Sequence, residues 1–311
     1  MRAAVLHTHG EPPSHGEHPD PVAADGQSIV RVTAAPVVPL DLLCASGTSY
    51  FGQPQLPYVP GVQGVGVVEQ SDAVAPGTKV FFATSAGMAA GDGSLAERSV
   101  VPDGDLIVLD TAVPDAQVAA IGLSGVAAWM ALTWRAQLKP GERVLVLGGG
   151  GAVGQAAIGA ARVLGAQRVV AMVRSDTARA LAAGADEVVG VDEGFGDARF
   201  DVVIDPVFGA AATAAAAALA DGGRLVNLGG ASGDEATFSS AILRSRTASI
   251  LGYTNNAITP DQRRDALTAV LEHAATGAIK VAYETVALAD IATAWHRQSS
   301  GTTSGRLVVT I

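Results

Sequence analysis

Residues 142–165 read ERVLVLGGGGAVGQAAIGAARVLG, and this stretch decides the fold. A short run of valine and leucine stops at four consecutive glycines, and the small apolar residues that follow recur at helical spacing. The pattern predicts a strand, a tight turn and a helix. Within the turn, Gly149, Gly151 and Gly154 satisfy the spacing G-x-G-x-x-G.

Three glycines at this spacing have separate roles in a dinucleotide cradle. The first permits the turn, the second lets the backbone approach a pyrophosphate, and the third lets the helix pack closely on the strand. The pyrophosphate would then face the helix N-terminus. The glycine spacing alone is a weak signal, because ordinary loops also match it. Here the apolar segment Arg168–Val173 follows the helix and completes a βαβ unit, so we predict a dinucleotide-binding domain.

Composition limits the class of protein. The chain has 311 residues, of which 49% are hydrophobic and 16% charged, and it is long enough for two domains. A net charge of -10 argues against non-specific binding to nucleic acid or anionic membranes. Cys44 is the only cysteine, which excludes an internal disulfide and suits a reducing cytoplasm. The alanine-rich run Ala210–Ala220 is too short to span a bilayer. We expect a soluble, cytoplasmic protein with small-molecule partners.

The N-terminal part is predicted to be rich in strands. Alternating or apolar segments favour strands over Met1–Leu6, Ser28–Ala34, Gly61–Gln70 and Lys79–Ala83. Histidines at positions 7, 9, 15 and 18 lie in or beside the segment 10–21, among glycines and prolines. Because no pattern of carboxylates or thiolates accompanies them, we predict a solvated loop there and no metal site.

The C-terminal half alternates strands and helices. After the cradle we predict strands over residues 168–173, 187–191, 201–205, 224–228 and 249–253, with helices over 176–183 and 210–220. With the cradle strand this makes six strands and implies a doubly wound parallel sheet. A helix over 260–276 leads to a β-like tail, Gly305–Ile311, which we expect to return to the N-terminal domain. We assign residues 118–261 to the dinucleotide domain, and 1–117 with 262–311 to the β-rich domain.

Several separated motifs identify a family resemblance that covers essentially the whole chain. Residues 56–68, LPYVPGVQGVGVV, are similar to a P-G-x-E-G-x-G-x-V element, with Gln63 where glutamate is usual. Residues 205–209, DPVFG, are similar to D-x-V-G-G, and GRLV recurs at 223–226 and 305–308. In these motifs the chain resembles the zinc-free quinone oxidoreductase branch of the medium-chain dehydrogenase/reductase superfamily. The resemblance implies an α/β architecture, with a Rossmann doubly wound parallel sheet and a β-rich, GroES-like catalytic domain.

The resemblance also bears on metals. Zinc-dependent relatives carry cysteine and histidine where this chain has Val38 and Val62, and they have a four-cysteine lobe that this chain lacks. Since valine cannot ligate a metal, we expect neither structural nor catalytic zinc.

The cofactor's phosphate is predicted from spacing. NAD-selective sites place an acidic residue about 20 positions past the last glycine, whereas Arg174 occupies that position here. With Ser175 as a donor and Arg179 one helical turn further on, the segment predicts a 2′-phosphate pocket and hence NADP(H). The alternative is a pair of solvated arginines whose field Asp176 partly offsets. The resemblance implies the following cofactor-binding residues: Gly149, Gly150, Gly151, Ala152, Val153, Gly154, Arg174, Ser175, Arg179, Ala127, Gly229 and Tyr253.

Two departures from the family alter the expected substrate site. Val38 replaces an asparagine that in relatives lies close to the nicotinamide ribose and substrate, and Ala127 replaces a threonine beside the nicotinamide. Either the pocket has become more apolar for a hydrophobic substrate, or selection for the usual chemistry has relaxed. The sequence leaves both alternatives open.

The resemblance implies a substrate pocket formed by Val38, Asp41, Tyr50, Phe51 and Tyr58. Tyr50 is our catalytic candidate, because it lies in a loop rich in Gly, Ser and Thr where packing demands are weak. Its hydroxyl could orient a carbonyl oxygen or deliver a proton, and a solvent molecule could do the same. Core packing is the alternative role for Phe51 and Tyr58.

The resemblance implies NADPH-dependent reduction of a quinone or of the C=C bond of an α,β-unsaturated carbonyl. One alternative is a biosynthetic enoyl reductase that acts on a tethered or large apolar substrate. Another is a non-catalytic NADPH-binding protein, since folds of this kind serve several functions. Relatives dimerise through the last strand of the cofactor domain, which is Ala248–Thr254 here, so we expect a homodimer.

Overall fold

The structure is a computed structural model that describes residues 1–311, and it divides into two compact units. The first comprises Met1–Gly122 and Ala282–Ile311, and the second Leu123–Val281. The strands are β1 (Arg2–Val5), β2 (Ser14–Glu17), β3 (Gln27–Pro36), β4 (Gln63–Gln70), β5 (Lys79–Ala83), β6 (Arg98–Pro102), β7 (Leu106–Val108), β8 (Arg143–Leu147), β9 (Arg168–Val173), β10 (Glu187–Gly190), β11 (Phe200–Asp205), β12 (Leu219–Asn227), β13 (Ser249–Gly252), β14 (Tyr283–Ala287) and β15 (Arg306–Thr310). The helices are α1 (Pro39–Ala45), α2 (Asp115–Met130), α3 (Ala152–Val163), α4 (Thr177–Ala182), α5 (Gly209–Ala217), α6 (Ser240–Ser245), α7 (Pro260–Ala275) and α8 (Ile291–Ser300).

The first unit is built on a mostly antiparallel sheet. Its strand order is β14-β15-β3-β4-β5-β7, and β6 pairs with β3. Strand β15 runs antiparallel to β3, with Val309 opposite Ala35. The C-terminal tail therefore returns to the N-terminal part of the chain, as its sequence predicts.

Several features of the first unit differ from the sequence prediction. The histidine-rich segment contains β2, which pairs antiparallel with β1 in the register Arg2↔Glu17, so part of it is strand and not loop. Its sequence SHGE has no apolar alternation, and the pairing with β1 decides its conformation. The structure also adds α1, β6 and β7, and it adds β14 and α8 ahead of the C-terminal tail. Helix α8 buries Ile291 and Trp295 in the core of this unit.

The second unit has a six-stranded parallel sheet in the order β10-β9-β8-β11-β12-β13. This is the doubly wound order, and it confirms the predicted fold class. The direction of strand succession reverses between β8 and β11, so the crevice that binds ligands in such sheets lies at the carboxyl ends of these two strands. Two predicted boundaries were wrong here. Helix α5 ends at Ala217 and not at residue 220, and β12 begins at Leu219, which pairs with Phe200, and not at residue 224.

The boundary between the units lies inside α2. Gly122 interrupts the helix with φ +27° and ψ -131°, and a π-helical turn, Ala131–Arg135, follows the helix. The stretch Asp115–Arg135 is long and apolar enough to cross a membrane, but 72% of its most apolar window is buried, as in a core helix.

The other boundary is at Val281, so α7 lies in the second unit, whereas the sequence assignment places residues 262–311 in the first. Helix α7 buries its apolar residues in the second unit, where its His273 ring also contacts that of Trp129, with 5.7 Å between centroids.

Candidate functional site

The glycine turn that follows β8 is shaped by close backbone approach. Gly148 has φ +63°, so the left-handed residue of the turn lies one position before the predicted motif. The N–H of Gly149 donates to Met172 O at 3.0 Å, and a β-carbon on Gly149 would lie 2.6 Å from the β-carbon of Ala171. Gly149 therefore lets the turn lie directly against β9.

The turn ends at α3, whose first residues face open space. Gly151 is the N-cap, and a β-carbon on it would meet only Gly148 O, at 3.4 Å. A β-carbon on Gly154 would overlap Gly148 O, so the helix can approach the turn only with glycine there. The N–H groups of Ala152 and Val153 have no acceptor within the helix, since its first i to i+4 bond is donated by Gln155 to Gly151 O. These features fit a pyrophosphate at the helix N-terminus.

The predicted phosphate pocket lies at the end of β9. Arg174 and Ser175 are exposed, and Arg174 pairs with no carboxylate. Arg179 instead forms an ion pair with Asp176, and Asp176 lies against Gly150, where its γ-carbon would be 3.3 Å from a β-carbon on that glycine. The structure thus brings Asp176 to the turn, neutralises Arg179, and leaves Arg174 as the unpaired cation.

The remaining predicted cofactor residues lie elsewhere in the second unit. Gly229 follows β12, and a β-carbon on it would lie 2.8 Å from Pro206 O. Ala127 is buried in α2. Tyr253 follows the edge strand β13, three strands away from β8, and its hydroxyl donates to Asn255 Oδ1 at 2.7 Å. The structure therefore does not bring Tyr253 to the glycine turn.

In the first unit, Asp41 is a buried carboxylate at the start of α1. It is 2% exposed, and its two oxygens accept hydrogen bonds from Val38 N–H at 2.8 Å and Val62 N–H at 3.0 Å. Burial raises the pKa of Asp41 to about 6, although these hydrogen bonds and the charge of Arg306 act in the opposite direction. Arg306 donates from Nη1 to Val37 O at 3.3 Å, and burial lowers its pKa to about 10.

Tyr58 and Cys44 form a second buried group in the first unit. Tyr58 is 5% exposed, and its hydroxyl has no hydrogen-bond partner. A β-carbon on Gly87 would lie 3.0 Å from Tyr58 Oη and 2.6 Å from the β-carbon of Cys44, so glycine is required between them. Burial raises the pKa of the Cys44 thiol to about 11 and raises that of Tyr58 as well. Neither this contact nor the proximity of Arg306 to Asp41 was predictable from the sequence, because both join residues that are remote in the chain.

Tyr50 and Phe51 lie on an exposed turn. Tyr50 is 81% exposed, makes no hydrogen bond through its hydroxyl, and stacks on Phe51 with 4.1 Å between ring centroids. The structure therefore holds the Tyr58 hydroxyl in place and leaves that of Tyr50 in solvent.

No three side chains of His, Cys, Asp or Glu come together as a metal-ligand set, and His18 instead pairs with Asp92 at 2.8 Å.

Two family models match this chain. One, described as alcohol dehydrogenase GroES-like domain, matches residues 24–111, and the other, described as zinc-binding dehydrogenase, matches residues 164–309. A phenolphthiocerol/phthiocerol polyketide synthase from Mycobacterium tuberculosis is 30% identical over 304 residues, which are 91% of this chain and 13% of that protein. A quinone oxidoreductase from Pongo abelii is 36% identical over 149 residues, 47% of this chain and 44% of the relative. The chain thus spans less than half the length of these curated relatives.

A solved structure matches over the full length of both chains. It is the quinone oxidoreductase from Thermus thermophilus, which was also solved in complex with NADPH. The two chains are 29% identical, the match covers 100% of each, and the TM-score is 0.84.

Proposed function

Since this chain belongs to the quinone oxidoreductase branch of the medium-chain dehydrogenase/reductase superfamily, we propose that it is an NADPH-dependent oxidoreductase. Its substrate is a quinone or the activated C=C bond of an α,β-unsaturated carbonyl. The observation that carries the proposal is the glycine turn, which leaves the N-terminus of α3 free for a pyrophosphate, together with the exposed and unpaired Arg174 at the end of the neighbouring strand β9. The relative from Thermus thermophilus, whose complex with NADPH is known, supports the same choice of cofactor.

The residues of the second unit have distinct roles toward the cofactor. When bound, NADPH supplies a hydride. The N–H groups of Ala152 and Val153 bind its pyrophosphate, and the Arg174 guanidinium binds the 2′-phosphate with the help of Ser175. Asp176 orients Arg179 and limits the positive charge at the turn.

In this proposal the chain uses no zinc. Val38 and Val62 stand where zinc-dependent relatives have ligands, and valine offers a metal no donor atom. Protein purified without a metal-affinity tag should therefore contain far less than one zinc per chain by elemental analysis.

The experiment that tests the proposal is NADPH consumption with a panel of quinones and enones. Turnover with members of either class, and slower turnover with NADH, is the expected result. NADPH binding without turnover on any substrate would instead support the non-catalytic alternative. A cytoplasmic location and a homodimer are also part of the proposal.

A second candidate is an enoyl reductase that acts on a carrier-tethered substrate. The polyketide synthase matches 91% of this chain, whereas the quinone oxidoreductase from Pongo abelii matches 47%. The discriminating measurement is kcat/KM for an enoyl thioester of pantetheine against that for the free enone of the same chain length. A large preference for the pantetheine thioester favours the biosynthetic function, and equal values favour the free enone.

Reduction of an enone leaves negative charge on the carbonyl oxygen, which a hydrogen-bond donor must stabilise. Two tyrosines are proposed donors: Tyr50 from its position in the sequence, and Tyr58 because its hydroxyl is held in place without a partner. A donor that is positioned before the reaction contributes about 2.7–4 kcal/mol, or about a hundred- to thousandfold in kcat. We expect Tyr58→Phe to show this loss and Tyr50→Phe to show little.

The same pair of variants separates catalysis from stability. Because the Tyr58 hydroxyl is buried without a partner, its removal should leave the free energy of unfolding unchanged or raise it by about 1 kcal/mol. A Tyr58→Phe variant that is stable, binds NADPH normally and has lost kcat would identify the donor. If Tyr50→Phe alone loses kcat, the donor is Tyr50, and if neither does, a solvent molecule or backbone N–H is left as the donor.

A further inference from the structure

Phe208 has a backbone conformation that is essentially restricted to glycine. It lies between β11 and α5 with φ +58° and ψ -154°. In this region the β-carbon of an ordinary residue is strained, and such outliers persist only when the surrounding structure imposes them. The family motif D-x-V-G-G has glycine at the corresponding position of residues 205–209, DPVFG, so this chain has replaced the expected glycine with phenylalanine.

The surrounding contacts show what imposes the conformation. Asp205 is fully buried, and its Oδ1 accepts hydrogen bonds from the N–H groups of Val207 at 3.0 Å and Phe208 at 2.7 Å. The N–H of Ser232 donates to Val207 O at 2.7 Å. The Phe208 ring packs edge-on against Phe238, with 6.2 Å between centroids. The backbone is thus held by three hydrogen bonds, and the ring adds its contact with Phe238.

This loop forms one wall of the crevice at the point where the strand order reverses. It follows β11, which neighbours the cradle strand β8. A β-carbon on Gly148 would lie 2.8 Å from Val207 Cγ1 and 3.7 Å from Pro206 Cγ, so the wall touches the glycine turn directly. Movement of the loop would therefore change the space that the turn offers to a pyrophosphate.

We propose that Phe208 is a positioning residue for the dinucleotide: its ring, packed on Phe238, holds the strained loop so that Pro206 and Val207 stay against the glycine turn. The inference rests on the proposed function, because it assumes that the crevice binds NADPH. Glycine at this position would adopt the conformation without strain but would lack the ring contact with Phe238. The loop would then be held only by its hydrogen bonds and would have to be ordered again when the cofactor binds.

The test measures NADPH affinity by calorimetry and thermal stability on the same variants. Phe208→Gly and Phe238→Ala should each weaken NADPH binding by about tenfold. The free energy needed to order the backbone of one residue corresponds to about that change in affinity. Phe208→Tyr keeps the ring and should bind like wild type. Phe195→Ala is the matched control, because Phe195 packs in the same way on Phe200 in the same core, 5.8 Å between centroids. It should lower the melting temperature and leave NADPH affinity unchanged.

A comparison without ligand tests the backbone conformation itself. Phe208→Gly and Phe208→Ala both lack the ring, so the glycine variant should melt at the higher temperature, whereas alanine is normally the more stabilising of the two. The proposal is overturned if the alanine variant is the more stable, or if Phe208→Gly and Phe238→Ala bind NADPH as tightly as Phe195→Ala. Failure of the proposed function would look different, since wild-type protein itself would then bind neither NADPH nor NADH.

Discussion

At the scale of single residues, the proposed preference for NADPH depends on Arg174. Its guanidinium is exposed at the end of β9 and has no carboxylate partner, whereas Arg179 is paired with Asp176. Each charge-assisted hydrogen bond contributes about 1.5–3 kcal/mol. We therefore expect Arg174→Ala to weaken NADPH binding by about ten- to hundredfold and to leave NADH binding nearly unchanged, as measured by titration of cofactor fluorescence.

Arg168→Ala is the control for this variant. Arg168 is an arginine at the opposite end of β9, where it pairs with Glu187, so its loss removes the same charge away from the glycine turn. Arg168→Ala should bind both NADPH and NADH as tightly as wild type does. Equal losses of NADPH and NADH affinity in Arg174→Ala would reject the assignment of the 2′-phosphate.

Asp41 makes stability depend on pH in an unusual direction. Burial raises its pKa from 3.8 to about 6, so between these values the folded protein holds a proton that the unfolded chain releases. The free energy of unfolding should therefore fall as the pH rises through this window, by about 3 kcal/mol in total, and stay level above it. The free energy of unfolding of wild type and of Asp41→Asn is measured by urea unfolding at pH 4 and at pH 7. The difference between the two proteins at pH 4 is then compared with their difference at pH 7. A difference that does not change with pH would show that Asp41 is ionised in the folded protein throughout.

At the scale of elements, the kink in α2 depends on Gly122. Its φ is +27°, and a β-carbon there would overlap Gln63 Oε1 and lie 3.2 Å from Phe81 Cε2. We expect Gly122→Ala to lower the free energy of unfolding by about 1–3 kcal/mol, through strain and overlap in the core. Gly104→Ala is the matched control, because a β-carbon there meets nothing within 4 Å, and it should change stability by less than about 0.5 kcal/mol. Equal thermal stability of the two variants would contradict this account of the kink.

At the scale of the whole molecule, the parallel sheet has two edges that a second copy could extend. The proposed dimer uses β13, which pairs with β12 on one side only. Apolar edge strands of this kind associate unless they are covered or charged. We expect a homodimer by light scattering at micromolar concentration, and Leu251→Lys should produce monomers because it places a charge on that edge.

The opposite edge of the sheet supplies the control. Val188 lies in β10, the other edge strand, and is half-buried like Leu251. Val188→Lys should stay dimeric if β13 is the interface. A monomeric wild type would show that no dimer forms. A monomer produced by Val188→Lys alone would show that the interface is at β10 and not at β13.

The sequence by itself determined the parts of this protein that depend on local pattern. The strand, glycine turn and helix of residues 142–165 were predictable because their apolar period and glycine spacing are contained in one stretch. The six strands of the parallel sheet were predictable because strands such as β9 are buried on both faces and stand out as unbroken apolar runs. The place of Arg174 just after β9 was predictable for a related reason, since it is counted from the turn, and its role toward the cofactor stays a prediction.

Only the tertiary structure decided the features that need partners remote in sequence. Strand β2 forms because β1 pairs with it, and α7 belongs to the second unit, where its apolar residues are buried. The environment of Asp41 depends on Val62 and on Arg306, which lies at the other end of the chain. Burial and close contact set a group's pKa and the strain of its backbone, and neither can be read from its neighbours in sequence.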